Sequence, residues 1–399
     1  MQNQRRHDID ALRALAFGLL ILYHIGMFYV SWGWHLKSNY PAHWLEPLML
    51  MVNQWRMPLI FLISGLAVHF LRGGEGKPTL DDGRLAWLRT KRLLLPLLFG
   101  MAVVVLPQAY LEGRAQGLIE PGYGQFLWHY FSFQPWPEGA FAGAENGVTW
   151  MHLWYLPYLL FYTLLLLPLA RLLDGPLAGL VSRIQALRGI WLLIVPTLWL
   201  LPLGLWLYPL FPYISHDLTS DWYAHAMYGS FFLFGYLLGR DSALWRELVR
   251  IRWLSLVLAP IAFIVLRLSS DFAWPEDSLL ATTLQSLITY FNRCVWIAMI
   301  LGWGHHALNR PMAWLSYANR AVYPWYILHQ TVIIIIGYQF NQIALGPVLE
   351  PLALIALTVA GCAAIMAVID HWLPWLRPFM GMPTRPSMPL GHASEVRAT

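Results

Sequence analysis

Three arginines of this chain stand inside long apolar runs: Arg13, Arg56 and Arg293. Two histidines, His24 and His329, do the same, and His152 opens a further run in His152-Leu153-Trp154-Tyr155. A charge within hydrocarbon costs several kcal/mol, so each such group is a functional candidate. Imidazole is the side chain that titrates near neutral pH and so can move a proton. Guanidinium keeps its proton at accessible pH and must face protein, water or an anion. Arg13 and His24 are eleven residues apart, about three helical turns, which puts them on one helix face ~16 Å apart. Asp10, three residues before Arg13, is placed to pair with it. Arg56, in Trp55-Arg56-Met57-Pro58, falls ~22 Å from the basic end of its run, the same depth as His24, so the two can meet across neighbouring antiparallel helices. His329 lies mid-run in Trp325-Tyr326-Ile327-Leu328-His329, and Arg293 follows Asn292 in the middle of another run.

Plainer readings exist for each. Arg13 can reach the interface along its own stem. His24, Arg293 and His329 can be buried, hydrogen-bonded structural groups, and Arg56 half of an ion pair. Solvation at the interface suits His152, His69, His305 and His306. The sequence holds no HExxH, P-loop, GxGxxG before a helix or GxSxG elbow, and the two cysteines have no metal spacing. No metal is expected, and chemistry must rest on the His and Arg set.

The elements that position these residues are helices in a membrane. Of 399 residues 58% are apolar and only 12% charged, with 22 Trp, and the mean hydropathy is +0.50. A soluble fold could not hide that much apolar surface, and disorder is excluded on the same ground. The apolar runs are long and continuous rather than alternating, which argues against a membrane barrel. We expect an all-α, polytopic bundle of about ten transmembrane helices, near 9–30, 44–71, 92–111, 150–173, 189–208, 224–239, 253–268, 282–304, 318–338 and 348–372. The sixth and seventh are the shortest. Pro58 is expected to kink the second, and Gly235 with Gly239 forms a GxxxG suited to close helix packing. Residues 1–376 form the transmembrane domain, and 377–399 read as a polar, disordered cytoplasmic tail.

Orientation follows from charge. With the N-terminus inside, twenty of the 26 Lys and Arg fall on inner segments, three on outer ones and three within helices. That bias places both termini in the cytoplasm. Dispersal of the basic residues excludes a nucleic-acid partner. The longest outer loop, about 112–149, carries Trp128, Tyr130, Phe131, Phe133 and Trp136, an interfacial aromatic belt or part of an acceptor surface.

Five motifs in order resemble the acyltransferase-3 family of bacterial membrane acyltransferases. They are Ile9-Asp10-x-x-Arg13-x10-His24, the segment from Arg56-Met57-Pro58 to Ser64-Gly65, His152-Leu153-Trp154-Tyr155-Leu156, Phe234-Gly235-Tyr236-Leu237-Leu238-Gly239, and Tyr326-Ile327-Leu328-His329. Ser31-Trp32-Gly33-Trp34-His35 looks most like the branch that succinylates periplasmic glucans. The resemblance implies a multi-pass protein of the bacterial inner membrane. Its activity would be transfer of an acyl group, succinyl or acetyl, from cytoplasmic acyl-CoA to a hydroxyl of an extracytoplasmic glycan. Acyl-CoA would be a co-substrate, with no tightly bound cofactor, and glycan-synthesis proteins would be natural partners. Arg13 with Asp10 would hold the anionic donor. His24 would act as base or transient acyl carrier, and Arg56 would orient the thioester or stabilise an oxyanion. His152, Trp154, Arg293, Tyr326 and His329 are candidates for an acceptor pocket; the role of Arg293 rests on its depth alone, since no motif covers it. Ser64 reads as a packing serine, since no base accompanies it. A glycan or anion transporter without acyl chemistry is the competing expectation, because transporters also carry intramembrane Arg and His.

Overall fold

Ten apolar segments fold as helices because, in lipid, a helix satisfies its own backbone groups. The computed structural model describes residues 6–73, 80–275 and 278–384, and among these there is no strand. In chain order the α-helices are α1 His7–Tyr29, α2 Glu46–Leu71, α3 Asp82–Phe99, α4 Leu106–Ala115, α5 Tyr123–Phe131, α6 Tyr155–Asp174 and α7 Ala178–Gln185. There follow α8 Trp191–Pro202, α9 Trp222–Gly239, α10 Ser242–Arg250, α11 Arg252–Asp271, α12 Leu279–Leu308, α13 Leu315–Phe340 and α14 Leu349–His371.

Among the described residues seven helices are long and apolar enough to cross a membrane, and an eighth span arises if the pair Asp82–Val104 and Leu106–Ala115, bent by 43°, is one unit. The expected all-α membrane bundle is present, and of its ten expected spans seven to eight reach that length and composition. Every expected segment is helical, but Trp191–Leu207 is a shorter apolar helix, and α9 does not reach the same length and composition. The expected seventh segment, by contrast, is the full-length α11. The bend after α3 occupies the π-helical stretch Gly100–Val104, next to Pro107 at the start of α4, and such bulges are a known cause of helix bending. α2 runs on through Pro58 as one helix. Expected loops also hold helices: the 112–149 loop contains α5, and the basic stretch after α9 contains α10.

α2 and α9 pack closely along their length. A Cβ at Gly65 would collide with the Phe232 carbonyl, and one at Gly235 with the Leu62 carbonyl, so these glycines let the backbones touch. Beside this seam Phe61 is fully buried among Tyr155, Tyr162 and Tyr228, with ring centroids 4.9–5.4 Å away. In the long loop, Tyr130 is buried and its hydroxyl accepts from the Thr149 amide at 3.1 Å, while Trp128 and Phe133 stay exposed. The aromatics there divide between a small core and a free surface.

The first residues of the expected tail are helical. Pro374–Met380 is a 3₁₀ helix with Arg377 buried, and its guanidinium lies 2.9 Å from Asp370 of α14. A buried arginine needs such a partner, which is why this turn folds back on the bundle. Residues 385–399, on which the rest of that expectation falls, lie outside the described residues.

Candidate active site

His24 and Arg56 line one cavity of about 730 Å³, built from α1, α2, α6, α13, the segments 30–35 and 214–216, and the residues around Glu112 and Met151. His24 Nδ1 lies 2.7 Å from His329 Nε2. His329 Nδ1 in turn lies 2.7 Å from the Tyr326 carbonyl and 3.1 Å from that of Trp325. Carbonyls only accept, so His329 carries its proton on Nδ1 and its Nε2 accepts from His24 Nδ1–H. The lone pair of His24 is thereby fixed on Nε2, the nitrogen left for the cavity. The Arg56 guanidinium covers the ring of Tyr23 at 3.5 Å, and Nη2 donates to Asn53 at 3.5 Å. Its Nε and Nη1 are buried with no hydrogen-bond partner. Orphan donors of a buried cation are costly, and an anion beside them would relieve that cost.

The remaining candidates divide. His152, Trp154 and Tyr326 line the same cavity as His24. His152 is buried, not solvated at an interface: Nε2–H donates to the Ile327 carbonyl at 3.0 Å, and Nδ1 accepts from Gln108 at 3.4 Å. Tyr326 donates to the His152 carbonyl at 2.8 Å. His329 is fully buried behind His24. Arg293 is not brought here. It lines a separate cavity that shares no lining residue with this one.

Arg13 and Asp10 line a different cavity of about 740 Å³ at the Arg-rich end. Arg13 donates to Asp10 at 3.0 Å and to Asn319 at 2.8 Å. Arg6, which is paired with Asp8 at 2.8 Å, Arg89 and Arg92 line it as well, so among the described residues four guanidiniums line one space with one carboxylate, Asp10. Ser64 sits in its wall, donating to the Ile60 carbonyl at 2.8 Å and paired with the Tyr155 hydroxyl, as a packing serine does. Among the described residues Phe17 and Tyr155 alone line both cavities. Their ring centroids are 6.2 Å apart, and each lies within 5.8 Å of Tyr326. An aromatic triangle thus separates the basic chamber from the histidine chamber.

Some site residues escape sequence reasoning. Arg89 and Arg92, which no motif covers, are three apart on α3 and so share a face. His35 Nδ1 donates to Glu112 at 2.7 Å, while Nε2 accepts from Gln330 at 2.9 Å; Gln330 also donates to Gln108 at 3.2 Å. This chain of polar groups links Glu112 to His152 through α13. His35 stands in a motif that gives it no role, and no motif covers Glu112. His216, in the loop before α9, stacks on Trp154 at 4.2 Å. Burial, with Arg56 and His35 nearby, holds its imidazole down at about 4. Among the described residues no group of His, Cys, Asp and Glu is placed to hold a metal ion.

A multi-helix membrane bundle with a cationic chamber behind a histidine chamber defines the class: a multi-pass membrane enzyme. The chain belongs to the acyltransferase-3 family, whose acyltransferase domain matches residues 6–367. Similar curated proteins include glucans biosynthesis protein C of Escherichia coli strain SMS-3-5, of O139:H28 strain E24377A and of O81 strain ED1a. Each is 24% identical over 360 residues, covering 84% of this chain and 83% of the relative. No solved structure matches the chain.

Proposed function

We propose that this protein transfers a succinyl or acetyl group from acyl-CoA, on the cytoplasmic side of a bacterial inner membrane, to a hydroxyl of an extracytoplasmic glycan. The observation that carries the reading is the pair of cavities meeting at Phe17 and Tyr155. The arginine-rich chamber suits the phosphates of CoA, which guanidinium recognises bidentately; Arg13, ordered by Asp10 and Asn319, is one of the groups that hold them. The thin acyl-bearing arm extends past the aromatic triangle toward His24. On the other side Trp32, Trp34 and Trp154 offer flat apolar faces for sugar rings.

His24 Nε2 takes the proton of the acceptor hydroxyl. The oxygen attacks the thioester carbonyl, whose electron pair moves onto its own oxygen beside the free N–H groups of Arg56. Collapse breaks the C–S bond, and the CoA thiolate takes the proton back from His24 Nε2. One C–O bond replaces one C–S bond, and the proton passes from oxygen to sulfur. Formation of an acyl-imidazole on Nε2 before the acceptor arrives is the two-step variant of the same exchange.

The test is mass spectrometry of envelope glycans from cells with the wild-type chain, with His24→Ala and without the chain. A mass increment of one acyl group that vanishes in both altered strains supports the reading. Unmodified glycan in all three, with altered export, favours transport instead. Intact-protein mass spectrometry after mixing with acyl-CoA alone separates the two routes, since only the two-step route leaves an acyl adduct on His24.

A further inference from the structure

The cavity that holds Arg293 has no part in that reaction path, yet it is built like a binding site. It encloses about 520 Å³ between α2, α9, α11, α12 and the end of the α8 segment. Arg293 lies in its wall with Nη1 3.4 Å from the Tyr223 hydroxyl and 2.7 Å from Met227 Sδ. Its Nε is buried with no partner, and so is Oε1 of Gln285, two turns away on the same helix. Arg267 of α11, whose Nη2 lies 3.5 Å from the exposed Asp271 one turn on, is a second guanidinium of the lining, and among the described residues no Asp or Glu lines the cavity. An intramembrane cation with no acid facing it asks for an anion. An orphan carbonyl oxygen beside it asks for a hydroxyl or N–H.

The rest of the lining says where such a ligand would come from. Leu50, Phe263, Leu266 and Trp274 supply apolar wall. α11 shows Phe263 and Leu266 to the cavity, while Val257, Ile264 and Leu268 of the same helix are exposed on its other side. One helix therefore stands between this chamber and the surface that faces lipid.

We propose that this cavity binds a phosphate-bearing polyol. The phosphate sits on Arg293 and Arg267, and a hydroxyl donates to Gln285 Oε1. That chemistry is shared by the headgroup of an anionic glycerophospholipid and by a free glycerol phosphate. The site is distinct from the acyl-transfer path, so its test does not depend on that activity.

Purified full-length protein is titrated with phosphatidylglycerol, with phosphatidylcholine and with sn-glycerol 3-phosphate. Native mass spectrometry counts the bound molecules, and thermal unfolding follows the stabilisation. Phosphatidylglycerol is expected to be retained one per chain and to bind at least tenfold more tightly than phosphatidylcholine. Arg293→Gln should remove that preference and Arg293→Lys should keep part of it. Thr289→Trp, which fills the cavity with Arg293 intact, should also remove it, and serves if Arg293→Gln fails to fold. Stabilisation by glycerol phosphate with no preference between the lipids, again lost in Arg293→Gln, supports the same site with the free phosphoester as ligand. Equal binding of both lipids with no effect of glycerol phosphate overturns the proposal, as does a preference that survives Arg293→Gln or Thr289→Trp.

Discussion

His24 Nδ1 and His329 Nε2 lie 2.7 Å apart, and the pair is anchored at its far end on the Tyr326 and Trp325 carbonyls. The carbonyls fix one tautomer, the tautomer fixes the next, and the lone pair ends on the one nitrogen that has no protein partner. On the proposed path His329 would orient the base and would not touch substrate.

The positioning role makes a prediction with a built-in control. His329→Phe removes the acceptor of the His24 N–H and should lower kcat by about 10- to 100-fold. The KM for acyl-CoA should stay nearly unchanged. His329→Gln, whose carbonyl oxygen can still accept, should recover most of the rate. In a His24→Ala background, which should abolish transfer, adding His329→Phe should cost nothing more. A further additive loss in the double variant would show that His329 acts apart from His24.

The basic chamber predicts an effect confined to the donor. Arg13→Ala and Arg89→Ala each remove a charged donor from the space shared with Arg6 and Arg92. Each should raise the KM for acyl-CoA about tenfold, the scale of one charge-assisted hydrogen bond. The KM for the glycan acceptor should not move, and the defect should deepen with added salt. Steady-state kinetics with each substrate varied in turn decides this. An equal rise in the acceptor KM would mean that the chamber does not belong to the donor.

Much of the fold was legible because hydrocarbon imposes one rule: long apolar runs become helices. The segment 189–208 showed the limit of that rule, since its apolar length could not reveal that Trp191–Leu207 falls short of a full span. The α1 motif was legible because Arg13 and His24 share a face of one helix, and depth alone put Arg56 level with His24. Contacts between distant segments were not legible. His24 and His329 are 305 positions apart, and no periodicity within α1 or α13 specifies which turn of one meets which turn of the other. The same reason hid Arg89, His35 and Glu112, and let Arg293 pass as a pocket residue although it lines a different cavity from His24.

His216 carries a pH signature. Its imidazole is held at about 4 by burial and the nearby Arg56 and His35, against an ordinary 6.5. As pH falls through that window the unfolded chain takes up a proton that the folded protein refuses. His216 therefore destabilises the fold progressively from pH 6.5 toward 4 and has no such effect at neutral pH. His216→Asn suits the backbone there, where φ is 60°, and removes the titration. The melting temperature of the variant relative to wild type should rise by a few degrees between pH 7 and pH 5. A difference that stays flat with pH would mean that the native imidazole protonates normally.

Phe17 offers the sharpest test of the path between the chambers. It lies seven residues before His24 on α1, about two turns or ~10 Å along the axis, and closes the aromatic triangle with Tyr155 and Tyr326. An acyl group that reaches His24 from the basic chamber must pass this ring. Phe17→Ala widens the passage and Phe17→Trp narrows it. One methylene in a fitted apolar space is worth ~1–3 kcal/mol of discrimination. The ratio of kcat/KM for butyryl-CoA over acetyl-CoA should therefore rise about tenfold or more in Phe17→Ala and fall in Phe17→Trp. Phe17→Ala should also raise the hydrolysis of acyl-CoA without acceptor, since water gains the same route. If both variants keep the wild-type ratio within twofold, the acyl group does not travel past Phe17, and the two chambers do not form one path.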